Sequence, residues 1–441
     1  MTPPLATELA EGFQWIESHT NFERSQADSL RPFRLDRMRR MAEILGQPQN
    51  RYKSIHVAGS KGKGSVCAMT AAALQSAGLR TGLYGSPHVY SYRERFMLNG
   101  SYLPEKFLIE SILTIRNSFS GFIFDDGSEP TTFELLTLTG MLAFSLAECQ
   151  WVVFETGLGG RLDATNILAP EVTAITSIEL EHTRILGSTR SEIAAEKGGI
   201  IKQGTPLVLG HLAAEAESVI EGIAAERRAP LFRADRLPVR EESPATCSFS
   251  LSPYFELEVD AELGMPGLHQ AQNARSAALC AALALASEER IEADPIRRGI
   301  SMVKLPGRFE VRRIGQRECI FDAAHTASSV GAFTTTFRHL YPSGGVMILG
   351  VVAEKDLAGI AAALPSGISR VVVTRPGSFK SSDPQALHKE VERYYPKAEL
   401  IEDPAQAWQR ALETAAEKEP ILILGSFYLP AAVSAGFAGR D

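Results

Sequence analysis

The chain has 441 residues, 44% of them hydrophobic and 22% charged, with a formal net charge of −7. That is length for two or three packed domains with a sizeable core, and the acidic balance argues against general nucleic-acid binding and against an anionic membrane surface as partner. The five cysteines (Cys67, Cys149, Cys247, Cys280, Cys319) are scattered, odd in number and form no Cys-x-x-Cys pair, as reduced thiols of a cytoplasmic protein would.

Met1–Gly12 has no basic n-region and no apolar core, so no signal peptide is expected, and no apolar run approaches membrane-spanning length. The pattern is helical up to about Gln47, with a polar break at Ser25–Pro32. LRPFRLDRMRRMAEIL carries Arg31, Arg34, Arg37, Arg39 and Arg40. This is either a solvated helix face or a basic rim that draws in an anionic substrate.

Ser54–Ala58 reads as a buried strand. It runs into a loop with glycines at Gly59, Gly62 and Gly64 and lysines at Lys61 and Lys63, then an Ala-rich helix to Gly78. Strand, Gly-rich loop and helix together cradle phosphate: glycines let backbone N–H groups close on the oxygens, and the helix N-terminus adds a positive field. Lys63 would reach the outer phosphates and the Ser65 hydroxyl would ligate Mg²⁺. The common P-loop pattern places Ser or Thr directly after Gly-Lys, whereas Gly64 separates Lys63 from Ser65 here. A nucleoside triphosphate site is the expectation; a flexible Gly/Lys surface turn is the bland alternative.

Thr81–Tyr84 is the next strand, followed directly by Ser86, Pro87 and His88, at the carboxyl end where open α/β sheets place ligands. Asn99-Gly100 signals a tight turn. Pro104–Phe119 and Phe133–Glu148 read as helices. Trp151–Phe154 is a strand with Glu155 at its end, placed for a Mg²⁺ ligand, and Arg161, Asp163 and Asn166 crowd the polar loop beyond. Val172–Ile178 reads as a strand ending in Glu179, Glu181, His182 and Thr183; His182 reads either as a ligand or as a structural residue. Thr189-Arg190-Ser191-Glu192 fits a capping box, opening a helix through Lys197. By its residue type alone, Lys197 is a surface lysine.

Pro206–Gly210 and Pro230–Arg233 read as strands around a helix to about Arg228. A hairpin-like pair follows within Cys247–Val259, then an Ala-rich helix at Gln270–Ser287 with Asn273 in its first turn. A boundary falls near Ser301–Pro306. Strands at Glu318–Phe321, Val346–Val351, Arg370–Thr374, Glu399–Glu402 and Ile421–Leu424 then alternate with helices, which makes a second doubly wound α/β domain. Asp322, His325, Lys355-Asp356 and Gly425-Ser426 stand at its strand ends.

Taken together, GSKGKGS, YGSPHVYSYRER, TFE, ETGLGGRLDATN, EHTRILG, EKGGIIK, LPGRFEV, FDAAH, the Lys-Asp of VVAEKD, and GSFYL run in order over nearly the whole chain. In this the chain resembles folylpolyglutamate synthases and dihydrofolate synthases of the Mur-type ATP-dependent amide ligases. The resemblance implies an α/β fold with a P-loop-containing, Mur-ligase-type central domain over residues 1–303 and a Rossmann-like C-terminal ligase domain over 304–441. It implies a reaction in which ATP phosphorylates a substrate carboxylate and the amino group of L-glutamate attacks the acyl phosphate. The acceptor is reduced folate or dihydropteroate, the setting cytoplasmic folate biosynthesis and one-carbon metabolism, the enzyme a monomer with no nucleic-acid or membrane partner.

Carried over residue by residue, Gly59, Ser60, Lys61, Gly62, Lys63, Gly64 and Ser65 bind nucleotide, with Asn273, Arg308, Asp322 and His325. Ser65 and Glu155 resemble ligands of the nucleotide Mg²⁺; Ser86, Glu155 and His182 resemble those of a second Mg²⁺. A monovalent cation such as K⁺ is a further expected cofactor. Lys63, Glu155, His182 and Lys197 are the implied catalytic set, and Lys197 matches a lysine that is often carbamylated (N6-carboxylysine), which overturns its bland reading. Thr326-Ala327 stand where the family usually has Asn-Pro, a departure expected to loosen that loop. Lys61 stands where many bacterial members carry Asn, and Glu181 replaces the usual Asp before His182. A Mur-type ligase for another carboxylate and amino acid, and a P-loop kinase, are the alternatives.

Overall fold

The structure, a computed structural model, describes residues 6–22, 34–378 and 380–434. Arg31 and the break at Ser25–Pro32 lie outside them. The chain divides into two compact units: Met1–Glu242, Thr246–Glu262 and Gln270–Val303 in one, and Ser243–Ala245, Leu263–His269 and Lys304–Asp441 in the other.

The first unit is built on eight strands: β1 (Lys53–Ala58), β2 (Thr81–Tyr84), β3 (Phe96–Leu98), β4 (Ser101–Tyr102), β5 (Trp151–Glu155), β6 (Val172–Ile175), β7 (Leu207–Leu209) and β8 (Leu231–Arg233). Their order is β4-β3-β2-β5-β1-β6-β7-β8. All are parallel except the hairpin β3–β4 and its pairing to β2. β1 lies between β5 and β6, and Ile55, His56, Val57 and Ala58 are fully buried. A central parallel strand is covered on both faces, which explains a continuous run rather than alternation.

The register decides where function can sit. Val57 pairs with Glu155, Ala58 with Ile175 and Tyr84 with Phe154, so the segments after Ala58, Tyr84, Glu155 and Ile175 leave the sheet at one level.

Helix Lys63–Ser76 follows β1 and is buried almost all round, as its small side chains allow. Helix Ala293–Met302 packs on it so closely that a Cβ on Gly299 would lie 2.5 Å from the Ala73 nitrogen. Helix Thr132–Leu146 starts at a complete capping box between Thr131 and Glu134 and is apolar on every side, as buried helices are. Thr189 and Glu192 form the expected box at helix Arg190–Gly198.

Strand β6 stops at Ile175, three residues short of the expected end, because Thr176 and Ser177 spend their polar groups on the loop after β1. The hairpin-like pair is a three-stranded antiparallel sheet, with β9 (Val239–Glu242), β10 (Thr246–Ser250) and β11 (Glu258–Glu262) in the order β11-β10-β9.

The second unit holds β12 (Glu310–Ile314), β13 (Arg317–Asp322), β14 (Gly345–Leu349), β15 (Ile368–Val373), β16 (Glu399–Leu400) and β17 (Ile421–Leu424), in the order β12-β13-β17-β14-β15-β16. Only β12 runs antiparallel to its neighbour. Phe333 and Phe337 of helix Ala327–Leu340 pack on one face, and Trp408 of helix Pro404–Thr414 belongs to the other cluster. Asp322 pairs with Leu424 and Leu349 with Leu424, which levels the ends of three strands. Among the described residues no helix is long and apolar enough to cross a membrane.

Candidate active site

The loop after β1 needs glycine twice. Gly59 has φ +151°, and a Cβ there would fall 1.9 Å from Thr176 Oγ1; Gly62 has φ +83°, and a Cβ there would fall 2.3 Å from Asn273 Oδ1. Both positions combine a positive φ with close approach, which only glycine allows. Gly62 is the last residue before the helix, so Lys63, Gly64 and Ser65 form its first turn, where free N–H groups point at a ligand.

The segment after β6 fixes the loop from the side. Thr176 Oγ1 donates to Lys61 O at 2.6 Å, Lys61 N–H donates to Ser177 Oγ at 2.8 Å, and Ser60 N–H donates to Ser177 O at 2.8 Å. Glu179 N–H donates to Ser60 Oγ at 2.9 Å. Sequence reasoning missed this clamp. Its only trace is that polar Thr176 and Ser177 replace apolar residues at the expected end of the strand.

Three lysines converge here. Lys63 Nζ and Lys197 Nζ both donate to Gly59 O, at 3.0 and 2.9 Å. Lys197 Nζ lies 3.4 Å from Glu181 Oε1, and Lys61 Nζ lies 3.2 Å from Glu181 Oε2. Lys197 is buried, not the surface lysine of its bland reading. Burial pushes its amine down to about 8, Lys63 and Lys61 push the same way, and Glu181 resists. Burial opposes ionisation of Glu181, but Lys197, Lys63, Lys61 and His182 outweigh it and hold the carboxyl at about 2. Glu181 is therefore the fixed anion of the cluster, a role its sequence position did not disclose.

Glu155, buried at the end of β5, accepts the Ser86 N–H at 3.2 Å through Oε2. The same oxygen would lie 3.4 Å from a Cβ on Gly64 and 3.4 Å from one on Gly85, so the carboxylate sits between the first helical turn and the loop after β2. The structure thus brings together Gly59 to Ser65, Ser86, Glu155 and Lys197, with Glu181. His182 follows in a left-handed conformation (φ 49°) ahead of the short helix Thr183–Leu186. Asn273 abuts Gly62 and donates from Nδ2 to Gln270 Oε1 at 3.0 Å; it is the sixth residue of helix Leu268–Ala286 and so lies in the second turn, not the first.

Other polar residues turn out to be structural. Asp163 accepts from Leu158 N–H and Thr165 N–H, Asn166 donates to the carbonyls of Arg161 and Gly199, and Arg161 pairs with Glu196. The basic stretch does not form a continuous rim. Arg37 is buried against Glu134 at 2.9 Å, Arg34 pairs with Asp36 and Asp126, and Arg40 with Asp125.

Arg308, Asp322 and His325 lie in the second unit. Asp322 accepts from Phe309 N–H and Ala324 N–H, each at 2.8 Å; burial pushes its carboxyl up and Arg308 pulls it back. The Arg308 guanidinium stands 4.6 Å from the centre of the Phe427 ring. His325 Nδ1 lies 2.8 Å from Ala323 O. The loop expected to be loosened is tied down: Thr326 caps helix Ala327–Leu340 in a reciprocal box with Ser329, whose hydroxyl also takes the N–H of His325.

Comparisons with known proteins agree with this architecture. Residues 57–282 match the model of the Mur ligase middle domain and residues 307–427 that of the Mur ligase, glutamate ligase domain. Dihydrofolate synthase/folylpolyglutamate synthase of Escherichia coli is 31% identical over 438 residues, 98% of this chain and 96% of that protein. Folylpolyglutamate synthase of Lacticaseibacillus casei is 30% identical, over 89% of this chain and 92% of its own. The structure of Mycobacterium tuberculosis folylpolyglutamate synthase complexed with ADP and AMPPCP superposes with a TM-score of 0.84 at 28% identity, covering 98% of this chain and 99% of that one. The chain belongs to the Mur ligase family, within its branch of folylpolyglutamate and dihydrofolate synthases.

Proposed function

We propose that this protein is an ATP-dependent ligase that joins L-glutamate through an amide bond to a folate-type carboxylate, either tetrahydrofolate and its glutamylated forms or dihydropteroate. The observation that carries the reading is the convergence of Lys63, Lys197, Glu181 and Glu155 around one phosphate loop. The substrate carboxylate attacks the γ-phosphorus of ATP and ADP leaves. The glutamate nitrogen then attacks the acyl carbon, a tetrahedral intermediate forms and loses a proton, and phosphate departs.

Each residue has a task in that sequence. Lys63, resting on Gly59 O in the glycine loop, would offset charge on the transferred phosphoryl group. Ser65, Gly62 and the N–H groups of the first turn hold the phosphates, and Asn273, Arg308, Asp322 and His325 are assigned to the nucleotide. Lys197 has the depressed amine that carbamylation requires, since only the unprotonated nitrogen attacks CO₂. As a carbamate it would become an anion beside Lys63 and Lys61.

Among the described residues no group of three His, Cys, Asp or Glu side chains gathers around one point. Ser65, Ser86, Glu155 and His182 would hold Mg²⁺: the Glu155 carboxylate lies between the first helical turn and the loop after β2, and oxygen donors suit that ion. Ser65 and Glu155 would hold one ion, and Ser86, Glu155 and His182 a second. When bound, Mg²⁺ supplies charge neutralisation at the phosphates. We propose a cytoplasmic, monomeric state; five free, buried cysteines suit a reducing compartment.

The test is phosphate release from Mg-ATP with and without L-glutamate, supplying tetrahydrofolate and dihydropteroate separately and weighing the products. Glutamate-dependent release with a product one glutamyl unit heavier is expected, and the accepted pterin names the activity. Release that ignores glutamate would replace the ligase with a kinase or ATPase. Turnover with some other carboxylate alone would point to a different Mur-type specificity.

A further inference from the structure

A group of cations on the first unit, Arg39, Lys202 and Arg227, has no counter-charge among the described residues. With those residues they make no ion pair within 4.0 Å, although Arg37 and Arg40 on the same helix as Arg39, and Arg34 just before it, all do. Neutral oxygens hold two of them. Lys202 Nζ donates to Asn166 O at 3.0 Å and Asn166 Oδ1 at 2.8 Å, and Arg227 Nη1 donates to the carbonyls of Gly199 and Ile201. The helix carrying Arg39 (Leu35–Ile44) packs on the turn Ala164–Ile167 that contains Asn166. Three separate elements thus deliver positive charge to one place.

A purely structural account explains part of this. Lys202 and Arg227 fasten the Gly199–Lys202 turn. It leaves the rest over: an ammonium has three donors and a guanidinium five, so one N–H of Lys202, the Nε and Nη2 groups of Arg227, and the whole exposed head of Arg39 remain after these bonds. The charges also act on one another. Burial lowers the Lys202 amine to about 8, with Arg227 and then Arg39 adding to the effect. An anion would relieve that repulsion and take up the remaining donors.

We propose that Arg39, Lys202 and Arg227 form an oxyanion-binding site, separate from the phosphate loop, for a carboxylate or phosphate group. Two sources share that chemistry: the γ-linked glutamyl tail of a folate, and free inorganic phosphate. The first would make the site a rest for the growing tail and rests on the reaction proposed above; the second would make it a product sensor and does not.

The experiment is calorimetric titration of the full-length protein with inorganic phosphate and, separately, with tri-γ-glutamate, at constant ionic strength. ADP and Mg²⁺ are present to fill the phosphate loop. Arg39→Ala is the main variant because Arg39 is exposed and its side chain makes no bond to the described residues; Arg227→Lys is the second. Saturable binding of either probe that weakens about tenfold in Arg39→Ala is expected, the loss of one charge-assisted bond being on that order. The probe that binds identifies the source. No saturable binding of either, or identical affinity in wild type and Arg39→Ala, overturns the site. Without nucleotide, any extra phosphate binding that Arg39→Ala leaves unchanged belongs to the phosphate loop.

Discussion

Glu181→Gln tests the electrostatic core of the site. Glu181 is the anion shared by Lys197 at 3.4 Å and Lys61 at 3.2 Å, and its side chain is 18% exposed. Its carboxyl is held at about 2 against an ordinary 4.5. At roughly 1.4 kcal/mol per tenfold change, that difference corresponds to about 3 kcal/mol of stability for the ionised form. Since the folded value is depressed, the contribution is complete above pH 4.5 and disappears as pH falls toward 2. Glutamine keeps the shape and removes the charge, so urea unfolding at pH 7 should show a loss of about 3 kcal/mol. At pH 3.5 wild type has already lost part of its advantage, and the gap should narrow by roughly 1 kcal/mol. Without Glu181 the Lys197 amine should titrate lower still. Equal stability of the two proteins at pH 7, or a gap that does not narrow on acidification, would refute the assignment of Glu181 as the anion of the lysine cluster.

Gly62→Ala places a Cβ 2.3 Å from Asn273 Oδ1 at φ +83°. A loss of about 2 kcal/mol and a much larger loss of ADP affinity should follow, read from thermal melting and nucleotide titration. Arg37→Met strands the Glu134 carboxylate in a pocket where both partners are under a tenth exposed. The cost should be about 3–5 kcal/mol by denaturant titration, and adding Glu134→Gln should recover part of it. If Lys197 is carbamylated, protein equilibrated with ¹³C-bicarbonate should show a carbamate carbon in its NMR spectrum that Lys197→Arg lacks, together with lost turnover.

The strand, glycine loop and helix over residues 53–76 were legible from the chain because their geometry is local. Seven contiguous residues, a strand before them and an Ala-rich helix after them suffice to define this unit, and the cap at Thr189 is local in the same way. Alternating strands and helices likewise announced two α/β sheets, since each period reports which face a short segment buries. Lys197 shows the limit. As a residue type it reads as a surface lysine, and only its family resemblance said otherwise; its burial and its bond to Gly59, 138 positions away, come from the fold.

The stretch Arg31–Arg40 shows the same limit from the other side. Its charge pattern gave no hint that Arg37 turns inward to Glu134 while Arg39 finds no ion-pair partner among the described residues. The amino-acid sequence by itself determined where the glycine loop lies, which residues could carry charge and most of the strands, though not β9 or β12. Tertiary structure alone decided which charges meet. A parallel sheet in register brings the ends of β1, β2, β5 and β6 to one level, and burial then sets how strongly Glu181 and the lysines act on one another, a property of the surroundings that residue order does not encode.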